Sequence, residues 1–387
     1  MIRAAANPRP FVASLDVVRA VTIVSVIMVH STWFTANGGG SIGAGAFLSI
    51  LHFTRESFMA LTGFVLTYSL WERTPKWGKF WIKRYRLIAI PYILWSAAYL
   101  TLTISVWPVG PYMARLLQDL PTGAAWFHLY YLLITMQFYL LMPGFLWVIR
   151  KCQDHPGWLL GLAATLEVML MAYDQYGLSS HPAGINAYTG TEVWTYGLYF
   201  IVGGVMAAHW TAISEWLNSH AKSVAIYLAV SIALMLTAYF GQLQGQASRI
   251  NFADAVLQPA MVPESLAVFM ALVRVGLWYQ KYWQRPKVPW HARFVKRIAD
   301  GSFGMYLMHP MILAGWLWVV KFLGWKPNHI VLDAVTISLL VISSVWVTGW
   351  LARTRWSPWL IGRSAIQARP LRGAASRDEK TWLPSEA

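Results

Sequence analysis

Charge is what this sequence has least of. Asp, Glu, Lys and Arg make up 12% of its 387 residues, about half of what a soluble domain carries. That is too little to cover a water-facing surface, so an ordinary soluble enzyme is excluded. Acidic residues are the scarcer kind, 16 against 31 basic ones, which leaves a strong positive excess. Cysteine occurs once, as Cys152, which rules out an internal disulfide and a thiolate metal site. Also missing are the P-loop, the Gly-rich dinucleotide fingerprint, HExxH and GxSxG. The short alternating segments of a membrane barrel do not occur either. A cleavable leader is not expected: the first apolar run is too long, is interrupted by Asp16 and Arg19, and lacks an Ala-x-Ala exit.

Apolar residues, by contrast, reach 57%, and they come in runs of about 20, the length that spans a hydrocarbon core. The expected fold is all-α: a polytopic transmembrane bundle of about ten spans. They cover 12–34, 45–71, 82–106, 126–149, 157–173, 191–210, 223–241, 253–279, 299–322 and 329–352. The abundant Trp and Tyr suit the aromatic belts at both interfaces. Residues 1–352 read as one membrane domain. Residues 353–387, with Pro, Gly, Ser and charges but no apolar run, read as a basic tail with little order.

The basic residues set an orientation. They gather after the second span (Arg73, Lys76, Lys79, Lys83, Arg84, Arg86), after the eighth (Lys281, Arg285, Lys287, Arg293, Lys296, Arg297) and in the tail. Alternate connections hold only isolated cations such as Arg115, Arg249 and Lys326. The positive-inside rule then puts both termini in the cytoplasm. It also explains the net charge without a nucleic-acid partner. Three outer connections, 35–44, 107–125 and 174–190, are longer or rich in turn residues and shape an outward vestibule or serve as connectors.

The first run, Phe11–Phe34, carries Asp16, Arg19 and His30, and ionisable groups within a span mark function by default. Arg19 and His30 stand about three helical turns apart and share a face; Asp16 lies roughly 40° off it, with Thr22 nearly in line. Asp16 and Arg19, at i and i+3, also have the spacing of a plain ion pair near the membrane edge. His30 sits deep in the run on the same face and is a candidate functional group, with structural hydrogen bonding as the alternative.

Other spans add polar groups. The second holds Arg55 and Glu56, which point to different sides of a helix and each need a partner elsewhere. A Glu56 carboxylate beside His30 would orient the ring; a structural ion pair is the other reading. Lys83, Arg84 and Arg86 open the third span, suited either to lipid headgroups or to a phosphorylated ligand. The fourth has His128, Gln137, Tyr139 and Pro143; the ninth has Ser302, Gly304, Tyr306, His309 and Pro310. Polar cavity and local helix packing both fit these, with packing favoured for His128.

Taken in order, these segments resemble the acyltransferase 3 family of membrane proteins. LDVVRAVTIVSVIMVH is similar to its L-D-x-x-R-A helix with a later His. FMALTGF resembles F-F-x-x-S-G-F, with Thr62 in place of Ser. KRYRLIAIPYILWS resembles the basic motif leading into I-P-Y-x-x-W. HLYYLLITMQFYLLMP is similar to H-L-W-x-L…Y-L-L-x-P, and SFGMYLMHP to S-x-G-x-Y-L-x-H-P. The resemblance implies transfer of an acyl group, usually acetyl, from cytoplasmic acyl-CoA to a hydroxyl of an extracytoplasmic glycan or small molecule. No metal is implied. It points to His30 as base and Arg19 as an essential polar partner, and Arg84 matches the first Arg of the R-x-x-R motif. Leu87 occupies the second Arg position, with Arg86 adjacent. An acidic residue expected in the fourth helix is replaced at Thr135 or Met136.

The site expected from these residues is therefore His30, Asp16 and Glu56 for catalysis, and Arg19, Lys83, Arg84 and Arg86 for acetyl-CoA. Tyr306, His309 and Tyr139 are assigned to the acceptor. The expected location is the inner (plasma) membrane, in contact with the lipid bilayer. An exporter of polysaccharide or small solute, with its polar groups at mid-membrane, is the competing class.

Overall fold

The computed structural model describes residues 9, 11–36, 40–177 and 190–362. Among these the chain is entirely helical, without a strand. In order come α1 (Leu15–Thr35), α2 (Ile42–Leu51), α3 (Thr54–Leu70), α4 (Trp77–Leu100), α5 (Val109–Asp119) and α6 (Tyr130–Lys151). Next are α7 (Pro156–Ala172), α8 (Gly197–Ala208), α9 (Trp210–Ser219), α10 (Ala221–Leu243) and α11 (Ile250–Ala253). The last are α12 (Met261–Tyr279), α13 (Trp290–Phe322), α14 (His329–Leu351) and α15 (Ser357–Leu360).

Seven helices in the described residues are long and apolar enough to cross a membrane, or eight if the bent pair around His209 makes one span. The protein is thus a multi-pass helical membrane protein. Several expected elements differ in detail. The run 45–71 is two helices, α2 and α3, parted at His52 and Phe53. A side-chain bond maintains that break: His52 Nε2 donates to the Asp254 carbonyl at 3.0 Å. The run 191–210 turns through 95° into α9. The eighth run begins as the short α11, and its long helix starts at Met261. The connection 107–125 contains α5.

The first residues after 352 are ordered against the bundle. Residues 353–362 do not form a loose tail; α15 lies on α4, with Trp95 donating to the Leu360 carbonyl at 2.9 Å, and Ile361 is buried. An apolar Trp-Leu-Ile string inside a polar stretch was enough to dock it. The rest of that tail, 363–387, and most of the 174–190 connection lie outside the described residues.

Small residues set the closest approach in the bundle. A Cβ on Gly63 of α3 would stand 3.1 Å from the Phe200 carbonyl carbon. One on Gly203 of α8 would stand 2.7 Å from the Phe64 nitrogen. Only glycine lets these backbones meet, as in close-packed membrane helices. Beside that contact Phe138 stacks on Phe200 at 4.0 Å. The C-terminal carbonyls of α3 are satisfied from α6: Arg150 Nη2 donates to Leu70, Trp71 and Arg73 at 2.9, 2.7 and 2.9 Å. A second apolar core, with Ile23, Ile27, Met305 and Leu307, binds α1 to α13. α1 is surrounded by α13, α12, α14 and α3, so its polar face looks into protein.

Candidate active site

His30 stands on the fifth turn of α1, and its ring lines a cavity of about 150 Å³. The walls come from four places in the chain. The α2–α3 break supplies His52, Arg55 and Phe58; the start of α6 supplies Phe127, His128, Tyr130 and Tyr131; Val256 precedes α12, and Tyr306 lies on α13. Phe127 meets the His30 ring edge-on, with centroids 4.8 Å apart.

One contact assigns the ring nitrogens. His30 Nδ1 lies 2.7 Å from His309 Nε2, and the two rings are nearly coplanar at 4°. His309 Nδ1 lies 3.0 Å from the Met305 carbonyl, one turn back on α13. A carbonyl only accepts, so His309 Nδ1 carries the hydrogen. In the neutral ring His309 Nε2 is then the acceptor, and His30 Nδ1–H donates to it. The free lone pair of His30 is left on Nε2, and that is the arrangement a general base needs. His309 itself is wholly buried. Pro310 follows it and has no N–H, so the carbonyl four residues earlier, that of Tyr306, loses its helical partner.

Further bonds hold this end of the bundle. The Tyr306 hydroxyl donates to the His128 carbonyl. Ser31 and Thr32, the next two residues of α1, donate to the Asp333 carboxylate of α14 at 2.6 and 2.7 Å. These two bonds fix the rotation of α1 beside His30. Arg55 donates from Nη1 to the Tyr130 hydroxyl at 3.1 Å, and its Nη2 lies 3.9 Å from Glu56 Oε1.

Of the predicted site residues, His30, Tyr306 and His309 are brought together. His309, assigned to the acceptor from sequence, touches the His30 ring directly. Glu56 is not beside the imidazole: it is buried behind Arg55, and His309 occupies the position expected for it. Asp16 is not there either. It lies fourteen residues before His30, roughly 21 Å along the helix. It accepts from Arg19 at 2.9 Å and pairs with Lys296 of α13 at 3.0 Å. The i, i+3 ion pair is therefore present, with a second cation added by a distant helix. Tyr139 lies away from the cavity, between Phe80, Tyr85 and Arg84. Of the basic trio, Arg84 turns toward α6, with its guanidinium 5.7 Å from the Phe80 ring and 6.0 Å from the Tyr139 ring. Lys83 and Arg86 are exposed.

His52, Arg55, Tyr130 and Tyr131 are wall residues missing from the sequence-derived site. Arg55 had a signal, a cation inside an apolar run. His52 and the two tyrosines had none, because their convergence depends on how α3, α6 and the segment before α12 meet.

Among known proteins, the acyltransferase 3 family model, described as an acyltransferase domain, matches residues 12–353, which is nearly the whole chain. No curated protein and no solved structure matches.

Proposed function

Because the chain belongs to the acyltransferase 3 family, we propose that it is a membrane O-acyltransferase whose donor is a cytoplasmic acyl-CoA, acetyl-CoA above all. The acceptor is a hydroxyl of an extracytoplasmic glycan or small molecule. The chain crosses the inner (plasma) membrane about ten times, counting α2–α3, α4 and the bent α8–α9 as spans, with both ends inside. His30 then falls in the outer half of the bilayer and the basic start of α4 at the inner edge. Arg84, with Lys83 and Arg86, receives the CoA phosphates, and the pantetheine arm runs along the face of α1 that holds Arg19.

The observation that carries this reading is the coplanar His30–His309 pair, anchored on the Met305 carbonyl, at the wall of a cavity. In the reaction His30 Nε2 takes the acceptor's proton while its oxygen bonds to the thioester carbonyl carbon, and the C=O pair moves onto oxygen. Collapse of that intermediate breaks the C–S bond. The sulfur leaves with the bonding pair and takes the proton from His30 Nε2. The products are the ester and free CoA, with no net change in protons. His309 accepts from Nδ1–H throughout and is best suited to stabilise the ring as it becomes charged.

The test is direct. Purified protein in detergent is given acetyl-CoA and a panel of hydroxyl acceptors, and free thiol is followed. Acceptor-dependent thiol release with a matching acetyl ester is expected. Transport of an acceptor into vesicles with no acyl-CoA consumed would replace this reading with the exporter.

A further inference from the structure

The wall of the His30 cavity contains a cation that the proton-transfer scheme leaves unused. Two of the cavity's donors are committed: the Tyr306 hydroxyl to the His128 carbonyl, and His52 Nε2 to the Asp254 carbonyl. Arg55 is only half committed. Nη1 serves Tyr130, whereas Nη2 is buried with no hydrogen-bond partner. The Tyr131 hydroxyl, in the same wall, is also buried without one. Glu56 does not complete the guanidinium, since 3.9 Å is beyond hydrogen-bond reach and Glu56 Oε2 is itself unpartnered. Structural ion pairs that repay burial are closely bonded, and this one is not. A buried charged donor left open is costly, and a catalytic role is one of the reasons such a group is kept.

We propose that Arg55 Nη2, assisted by the Tyr131 hydroxyl, is the oxyanion-stabilising donor of this site, facing the carbonyl oxygen of the thioester that His30 helps to attack. This rests on the acyl-transfer reading above. When the acceptor oxygen bonds to the carbonyl carbon, the displaced C=O pair becomes a full negative charge on oxygen. A fixed guanidinium in a cavity with few water molecules is worth most at that moment, because the ground-state carbonyl carries only a partial charge. The Tyr130 bond and the nearby Tyr196 ring, 5.9 Å from the guanidinium carbon, hold the group in place. Base and oxyanion donor thus come from different helices, α1 and α3, on two sides of one small cavity.

The experiment uses full-length protein in detergent, with acetyl-CoA as donor and water as acceptor, and reads thiol release alongside calorimetric binding of CoA. Arg55→Met is expected to lower kcat about 10²- to 10³-fold, the usual cost of one oxyanion donor, with CoA affinity essentially unchanged. Arg55→Lys keeps the charge beside Glu56 and so keeps the fold, yet loses the paired planar donors; its kcat falls at least about tenfold. If Arg55→Met does not accumulate, the double variant Arg55→Met/Glu56→Gln, which leaves no uncompensated carboxylate, takes its place. Wild-type turnover in Arg55→Lys, or a kcat loss no larger than the loss of CoA binding, overturns the assignment of Arg55 and leaves the function standing. Absence of thiol release from the wild-type protein, with water and with every hydroxyl acceptor, overturns both.

Discussion

The two ends of α1 treat their polar groups in opposite ways. At the N-terminal end Asp16 is saturated: Arg19 bonds one oxygen, Lys296 the other, and Lys296 also holds Asp300 at 2.7 Å. At the C-terminal end Ser31 and Thr32 are bonded to Asp333, but the groups around the cavity are left open. His30 has a free Nε2, Arg55 a free Nη2, and Tyr131 a free hydroxyl, all around one cavity. Both ends carry ionisable residues in an apolar run, and the sequence marks both equally. The difference teaches that a charge inside a membrane protein becomes a chemical tool when its partners are incomplete. A completed cluster acts as structure.

Three experiments test that division. The largest effect is expected from His30→Ala, which removes the proposed base and lowers acetyl transfer by roughly 10²- to 10⁴-fold, measured as thiol release per folded molecule. Normal turnover in that variant would erase the distinction. Asp16→Ala should do the reverse. It leaves Arg19 and Lys296 without their shared anion, at a cost toward the low side of about 3–5 kcal/mol, since both cations are partly exposed. A lower melting temperature in detergent with turnover per folded molecule largely retained is the expected result; chemistry lost at full stability would make the N-terminal end of α1 catalytic. The smallest effect is expected from His309→Ala, which removes one hydrogen bond worth about 0.5–1.5 kcal/mol and so lowers kcat about 2- to 13-fold at unchanged CoA affinity. Partial recovery in His309→Gln, whose side-chain oxygen accepts from His30, would sharpen the case for orientation.

Much of the fold was legible because lipid imposes length and apolarity on every span. Helical periodicity also placed His30 on the inward face of its helix. Partner choice was not legible. His309 is 279 residues from His30, and nothing in the local pattern distinguishes an orienting histidine from one that touches an acceptor. Glu56 was a reasonable partner by depth alone, but packing of α3 turns it behind Arg55. The break at His52 was hidden for a similar reason: a span-length run with no proline reads as one helix even with His52, Arg55 and Glu56 in it, and the bond at the break runs to Asp254, across the bundle.

α13 is 33 residues long, about 50 Å of continuous helix. It reaches α1 twice, with Lys296 on Asp16 and His309 on His30. Thirteen residues separate its two contacts and fourteen separate those on α1, so the helices run side by side in the same direction, pinned like two rails at matching sleepers. Neither rail can slip lengthwise without breaking an ion pair at one end and a ring-to-ring bond at the other. On the proposed acyl-CoA reading, the donor travels to a stationary imidazole, and the work of crossing the bilayer falls on the thioester's own flexible arm while the frame stays still.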